Sequence, residues 1–139
     1  MAGLIKFLAA KSILDVVFVA ALALGFYLAV FPVSFRGALD LANPGQVAGW
    51  ALDRSDPDSP VYVQLYVDGR FAAETSANLA RPDVVDAGLA NEPNHGFAFV
   101  TPQLTAGNHE ARVYAPHLSL GGKVISLQEI GLPLQFEVR

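Results

Sequence analysis

The pattern of hydrophobic positions changes once along the chain, from a continuous apolar run to short alternating segments. Residues 16–35 form an unbroken stretch of 20 uncharged residues. At about 1.5 Å per residue, a helix of this length matches the roughly 30 Å hydrocarbon core of a bilayer. The run predicts one transmembrane helix over 12–35. Residues 1–11 then lie in the cytoplasm or along the membrane surface, or begin the helix itself.

The lysines near the N-terminus predict the direction of this helix. Lys6 and Lys11 precede the apolar run, and Arg36 is the basic residue close behind it. This positive-inside bias places the N-terminus in the cytoplasm and the C-terminal domain outside. A cleaved signal peptide is the alternative, because Ala21 and Ala23 offer a small-x-small cleavage spacing. The apolar run continues well past Ala23, which favours a retained anchor.

Small and polar positions in the predicted helix are candidates for contact with a neighbouring membrane helix. Small residues allow close helix approach, and an acid near the membrane can make a polar contact to a partner or reach the headgroups. The candidate residues for such an interface are Asp15, Ala21, Gly25 and Ala29.

Beyond a predicted linker at 36–45, apolar residues alternate with polar ones in short stretches separated by turns. The clearest stretch is 61–67, in which Val, Val, Leu and Val alternate with Tyr, Gln and Tyr. Asp68-Gly69 follows as a hairpin turn. Strands are predicted at 46–52, 61–67, 70–75, 97–101, 110–115, 123–127 and 132–138. The domain at 46–139 is therefore predicted to be an all-β sandwich of about six or seven short antiparallel strands behind one transmembrane α-helix.

Composition and charge exclude several kinds of chemistry. The chain has 139 residues, no cysteine and a net charge of -4, so it has no disulfide or thiolate site, and an acidic domain without a basic stripe does not favour nucleic acid. Motifs for a nucleophile, a phosphate loop or paired catalytic carboxylates are absent from the sequence. We therefore predict a non-enzymatic protein with no catalytic residues and no cofactor. A membrane-bound hydrolase is the remaining enzymatic alternative.

Two acidic segments have both a structural and a binding interpretation. Asp53, Asp56 and Asp58 gather in one loop, and carboxylates in a loop are the ligands that calcium favours. An Asp- and Pro-rich turn beside a strand is the ordinary alternative. Arg81 and Asp83, in the loop after the predicted strand at 70–75, are expected to form an ion pair that fixes this loop over the sandwich, and ligand binding is the alternative.

Three aromatic residues are candidates for an outer-domain interface. Tyr62 and Tyr66 point outward on their predicted strand, and Trp50 lies on the first one. Outward tyrosines commonly meet a protein neighbour, and exposed aromatic rings can also form a platform for a glycan. The sequence leaves both interpretations open.

Five short segments together resemble an immunoglobulin-like module of bacterial envelope and surface-associated proteins. They are G-W-A-x-D at 49–53, V-x-V-x-x-x-V-D-G at 61–69, R-P-D-V-x-x-A-G at 81–88, H-G-F at 95–97 and G-N-H at 107–109. The resemblance covers about residues 45–115 and implies an immunoglobulin-like sandwich with an accessory role. It brings no catalytic residue, because the matching positions are typical of turns and core.

These observations predict a non-catalytic, single-pass accessory subunit of a larger membrane complex, such as a respiratory, photosynthetic or envelope assembly. The expected location is a bacterial inner membrane, with the sandwich on the periplasmic face. The expected partners are the lipid bilayer and integral membrane subunits of the complex. A surface glycan-binding module is the main alternative.

Overall fold

A computed structural model describes residues 1–30 and 33–139. The described residues divide into two units, one that contains the N-terminal helix and residues 118–124, and one that contains residues 33–117 and 125–139. Helix α1 (Ala2–Val30) has 29 residues, a length of about 44 Å. Apolar side chains occupy all of its faces, a composition typical of membrane spans rather than surface helices. The helix is long and apolar enough to cross a membrane, and a signal sequence has the same properties.

The bounds of α1 differ from the predicted 12–35. The helix begins at Ala2, so residues 2–11 belong to it rather than to a separate segment. They are mostly Ala, Leu, Ile and Lys, and helix-favouring residues allow it to continue to the N-terminus. Phe35 already belongs to a strand, so the predicted C-terminal end was too late. Residues 31 and 32 lie outside the described residues.

The sandwich contains two antiparallel sheets and one short helix, α2 (Pro82–Asp86). The strands are β1 (Phe35–Ala42), β2 (Gln46–Asp53), β3 (Val61–Val67), β4 (Arg70–Ala77), β5 (Leu79–Ala80), β6 (Asn94–Val100), β7 (Gly107–Ser119), β8 (Val124–Glu129) and β9 (Leu134–Val138). The first sheet has the order β1-β2-β6-β5. The second has the order β4-β3-β7-β8, with β9 also paired to β7. The predicted sandwich behind one apolar helix is confirmed.

The segment at 36–45 was wrongly predicted as a linker, because most of it forms strand β1. Phe35 pairs with Asp53, and the register continues along β2 with a shift between Leu39 and Leu41. This irregularity breaks the alternation of inward and outward residues, and a bulge of that kind hides a strand from a period-two pattern. The two-residue strand β5 was also not predicted, since so short a segment has no pattern to detect.

The core lies between the two sheets and follows the alternation in β3. Val63 and Leu65 are fully buried, and Val113 of β7 is fully buried opposite them. Phe97, on β6 of the first sheet, belongs to the same core and is 2% exposed. These inward side chains leave the intervening residues of each strand on the outer faces.

The two ends of the sandwich differ in what they carry. The proximal end, where the chain enters β1, contains the start of β1, the end of β2 and the start of β3. Phe35 pairs with Asp53 there, and a bridge between Leu52 and Pro60 joins β2 to the residue before β3. The distal end holds the β3–β4 turn and the start of β7, since Val67 pairs with Ala111.

Candidate functional site

Four aromatic side chains lie together on the outer surface of the second sheet, and we call them the aromatic face: Tyr62, Tyr66, Phe71 and Tyr114. The strand registers bring three of them together, because Tyr66 pairs with Phe71, and Gln64 beside Tyr66 on the same face pairs with Tyr114. Tyr62 lies further along the same face of β3. Tyr66 makes edge-to-face contacts with Phe71, at 5.8 Å between ring centroids, and with Tyr114 at 5.2 Å. Such contacts fix the rings relative to one another.

The aromatic face is open to solvent in this chain. The side chain of Phe71 is 54% exposed and that of Tyr62 is 47% exposed. Glu74 lies beside them and raises the pKa of the Tyr62 hydroxyl by hydrogen bonding to it. Large apolar rings in a contiguous exposed group are uncommon on a protein that works alone in water.

A set of charged and polar residues borders the aromatic face on β7, β8 and β9. Arg112 donates to Glu110 at 2.5 Å and to Glu129 at 2.9 Å. Gln135 donates to the other oxygen of Glu110 at 2.7 Å. These acids raise the pKa of Arg112, which keeps it charged. The arrangement is an apolar centre with a hydrogen-bonded polar rim, the usual anatomy of a protein–protein interface.

The structure does not bring Trp50 to the aromatic face. Trp50 lies on β2 in the first sheet and is partly buried, whereas Tyr62 and Tyr66 lie on β3 in the second. Its register partners are Ala38 and Gly96, on the neighbouring strands of its own sheet. The three aromatic residues therefore do not form a single platform for a sugar.

The aspartates considered for calcium have separate partners. The carboxylate of Asp53 accepts from the backbone and hydroxyl of Ser55 at 2.8 and 2.6 Å. The carboxylate of Asp58 accepts from the backbone of Asn91 at 2.9 Å, and the Asn91 side chain lowers its pKa most. Among the described residues, no group of three His, Cys, Asp or Glu side chains could hold a metal ion, so Asp53, Asp56 and Asp58 are not brought together as ligands.

The expected ion pair between Arg81 and Asp83 is confirmed and has a third member. The Arg81 guanidinium donates to both oxygens of Asp83, at 2.8 and 2.7 Å, and to Asp40 at 2.5 Å. Hydrogen bonds to Asp83 and Asp40 raise the pKa of Arg81, and the hydrogen bond from Arg81 lowers the pKa of Asp83. Asp40 lies on β1, so this fork ties the loop that contains α2 to the first strand.

His109, which is buried, and Asp68, which is exposed, form a link between β7 and the β3–β4 turn. The Nδ1 atom of His109 lies 2.7 Å from Asp68, and its Nε2 atom lies 2.9 Å from the carbonyl oxygen of Thr105. Both neighbours are acceptors, so both ring nitrogens donate and the imidazolium is the form that fits. Asp68 raises the pKa of His109, and His109 lowers that of Asp68. With Nε2 occupied by a carbonyl group, this pair is not arranged as a general base.

The charge on His109 gives the sandwich a defined pH dependence. A raised folded-state pKa means that the His109 contribution is full below the unfolded value of 6.5 and is lost as the pH rises through the folded pKa. The lowered pKa of Asp68 means that its contribution is present above 3.8 and is lost as the pH falls. We expect the pair to stabilise the fold most between these two values. An NMR titration should place the His109 pKa above 6.5.

The Asp68→Asn variant provides the matching test. It should lower the His109 pKa and reduce stability in urea more at pH 6 than at pH 9. The Asp56→Asn variant changes an exposed aspartate elsewhere and should leave the His109 titration unchanged. An equal loss at both pH values in Asp68→Asn would show that the contact is not a charged pair.

The other two histidines and Ser119 lie on β6 and β7. His95 on β6 is fully buried, and neither of its ring nitrogens has a hydrogen-bond partner among the described residues. His117 on β7 packs its ring on Phe35 at 5.9 Å. Ser119 is 7% exposed.

The candidates on α1 fall on its surface. Asp15, Ala21, Gly25 and Ala29 are all exposed. Ala21, Gly25 and Ala29 are spaced by four residues and therefore share one side of the helix. A Cβ atom added to Gly25 would meet no atom within 4 Å.

No protein-family model matches this chain, and no curated protein matches it.

Proposed function

We propose that this protein is a non-catalytic, single-pass accessory subunit of a larger membrane complex, and that its sandwich contacts another subunit through the aromatic face. The complex is a respiratory, photosynthetic or envelope assembly, and the module is of the immunoglobulin-like kind found in bacterial envelope proteins. The observation that carries the proposal is the aromatic face with its polar rim.

The composition of the aromatic face favours a protein partner. Tyrosine and arginine are the residue types most enriched among those that dominate binding energy. Tyr66 is held by Phe71 and Tyr114, and Arg112 is held by two glutamates. Side chains that are already fixed lose little conformational entropy when a partner covers them.

Helix α1 supports the same proposal. A retained anchor confines the sandwich to a membrane surface, where its partner is also confined. A modest contact through the aromatic face is then reinforced by a second contact through the helix, because linked contacts raise the effective concentration. Lys6 and Lys11 on the N-terminal side support a cytoplasmic N-terminus and a periplasmic sandwich in the inner membrane.

The non-catalytic part of the proposal follows from how the polar groups are engaged. Arg81 binds Asp83 in its own loop and Asp40 on β1, Asp58 binds Asn91, and His109 binds Asp68 and Thr105. These groups stabilise loops and turns, and such use is a sufficient reason for their presence.

Site-specific photocrosslinking in native membranes tests the partner. Benzoylphenylalanine in place of Tyr62 or of Phe71 should yield an adduct with one and the same membrane protein. The probe in place of Gln46, an exposed residue on the first sheet, is the matched control and should not. Adducts that are absent from both positions, or identical to those of the control, would overturn the assignment of this face.

A further inference from the structure

The β7–β8 hairpin, residues 118–127, exposes apolar side chains that the aromatic face does not include. Leu118 is 63% exposed, Leu120 49%, Ile125 67% and Leu127 47%. Lys123 is the only charged residue in the hairpin. The other hairpin of the same sheet has Asp68, Gly69 and Arg70 at its turn. One end of the sheet is therefore polar and the other apolar.

Strand β8 has its apolar residues on the side away from the core. Ile125 and Leu127 are exposed, while Ser126 between them and Gln128 after them are partly buried. The Gln128 side chain is used internally, since it accepts from the backbone of Ser34 at 3.0 Å. This arrangement is the reverse of a water-facing edge strand, in which polar residues point outward.

At the turn of the hairpin, a leucine adopts a left-handed backbone conformation that is unfavourable for bulky residues. Leu120 has a φ of 51°, and Gly121 and Gly122 follow with φ of 67° and 84°. A left-handed conformation is readily adopted by glycine, whereas in a bulky residue it costs energy. Asp68 has the same φ in the distal turn, and there its carboxylate accepts from the backbone of Glu110 at 3.0 Å. Leu120 contributes only an exposed apolar side chain.

The residues that flank the hairpin, His117 and Gln128, lie at the proximal end of the sandwich, beside the first residue of β1. Phe35, the first residue of β1, contacts the ring of His117 near the end of β7 and accepts from Gln128 of β8. Four residues connect Val30 to Phe35, so their Cα atoms are separated by at most about 18 Å. If α1 spans a bilayer, the chain length alone keeps this end near the lipid surface.

We propose that the β7–β8 hairpin inserts its leucine and isoleucine side chains into the interfacial layer of the lipid bilayer. The proposal rests on the membrane anchoring that the proposed function includes. A single lysine at the rim of an apolar loop suits this layer, because its stem lies along apolar groups and its ammonium reaches the headgroups. Insertion of apolar side chains reaches about 5–10 Å into the headgroup and acyl boundary.

The contact is apolar rather than electrostatic. The same end of the sandwich carries Asp53, Asp56 and Asp58 in the β2–β3 loop, and these acids do not attract anionic lipid. Binding therefore needs no anionic lipid and is insensitive to salt, unlike binding by a basic patch.

Fluorescence quenching with the full chain in phosphatidylcholine vesicles tests the proposal. The chain has no cysteine, so Leu120→Cys can carry a single environment-sensitive nitrobenzoxadiazole probe. The matched control is Arg70→Cys, an exposed position at the distal end. Nitroxide attached to the upper acyl chain of the lipid reports contact with the membrane, and iodide reports access to water.

We expect lipid nitroxide to quench the probe at residue 120 several-fold more than the probe at residue 70, with iodide giving the opposite order, at low and at high salt. A probe at 120 that iodide reaches as readily as at 70 would overturn the proposal. So would a probe that is shielded from iodide but not quenched by lipid, because protein then covers the hairpin. If the chain still co-floats with the vesicles after either of these results, the anchor holds and only the hairpin contact is wrong. A chain that does not co-float with the vesicles contradicts both the anchoring and the hairpin contact.

Discussion

Replacing Gly49 by alanine is expected to lower the free energy of unfolding of the sandwich by about 3 kcal/mol. Gly49 lies on β2 between Leu39 of β1 and Phe97 of β6. A Cβ atom here would lie 2.8 Å from Cζ of Phe97 and closer still to the carbonyl oxygen of Ala38. The ring cannot move without disturbing the core, and the carbonyl belongs to a neighbouring strand, so neither side can yield cheaply.

Gly45→Ala is the matched control for this variant. It lies in the turn before β2, where an added Cβ atom would be 3.5 Å from the nearest neighbouring atom, Oδ1 of Asn43. Urea unfolding of both variants, followed by tryptophan fluorescence of Trp50, gives the comparison. We expect a change of less than about 1 kcal/mol in the control. Equal midpoints for Gly49→Ala and the unmodified chain would contradict the packing of β1 against β2.

Placing two lysines in α1 is expected to prevent stable membrane association. The Leu22→Lys and Leu24→Lys changes together cost about 6–8 kcal/mol on the scale for insertion of a helix centre. Both side chains are exposed on α1, so their surroundings in a membrane are lipid or a neighbouring helix. The fraction that stays with the membrane pellet after alkaline carbonate extraction measures the effect.

The matched control replaces the same two leucines by isoleucine, which keeps the helix apolar. This control should stay in the pellet to the same extent as the unmodified chain. A double-lysine variant that also stays in the pellet would show that the sandwich, rather than α1, holds the protein on the membrane.

The sequence predicted the parts of the fold that follow a regular period. Strand β3 was predicted at its observed bounds because Val63 and Leu65 alternate with outward polar and aromatic residues. Strand β1 was missed because the shift between Leu39 and Leu41 breaks that period. The start of α1 was misplaced because two lysines resemble a boundary in charge but do not interrupt a helix.

The candidate site could be predicted only in part, because it depends on pairing between strands. The outward direction of Tyr62 and Tyr66 follows from the period of one strand. Phe71 and Tyr114 join them through a register that involves a shift between Leu65 and Tyr66, and no local pattern encodes this. Trp50 was grouped with the tyrosines by residue type alone, and the sheet assignment separates it from them.

The short segments that suggested an immunoglobulin-like module mark internal contacts of the sandwich. The aspartate of V-D-G and the histidine of G-N-H are Asp68 and His109, which bind each other. The glycine of G-W-A, Gly49, leaves room for the phenylalanine of H-G-F, Phe97. The glycine of H-G-F, Gly96, lies beneath the stem of Arg81, since an added Cβ atom would lie 2.9 Å from its Cγ. Each segment therefore has a structural reason that requires no ligand.

The two proposals assign the aromatic face and the β7–β8 hairpin to two different partners. The aromatic face has a charged rim and ordered rings, which suit a protein surface. The hairpin has one lysine, two glycines and aliphatic side chains, which suit lipid.

Native mass spectrometry of the protein, extracted from its own membranes in mild detergent, tests whether it is an anchored subunit of a larger membrane complex. We predict a complex that contains at least one other integral membrane protein and that releases, on activation, a subunit retaining residues 1–23. A free monomer, or a subunit that lacks those residues because the segment was cleaved as a signal peptide, would contradict it.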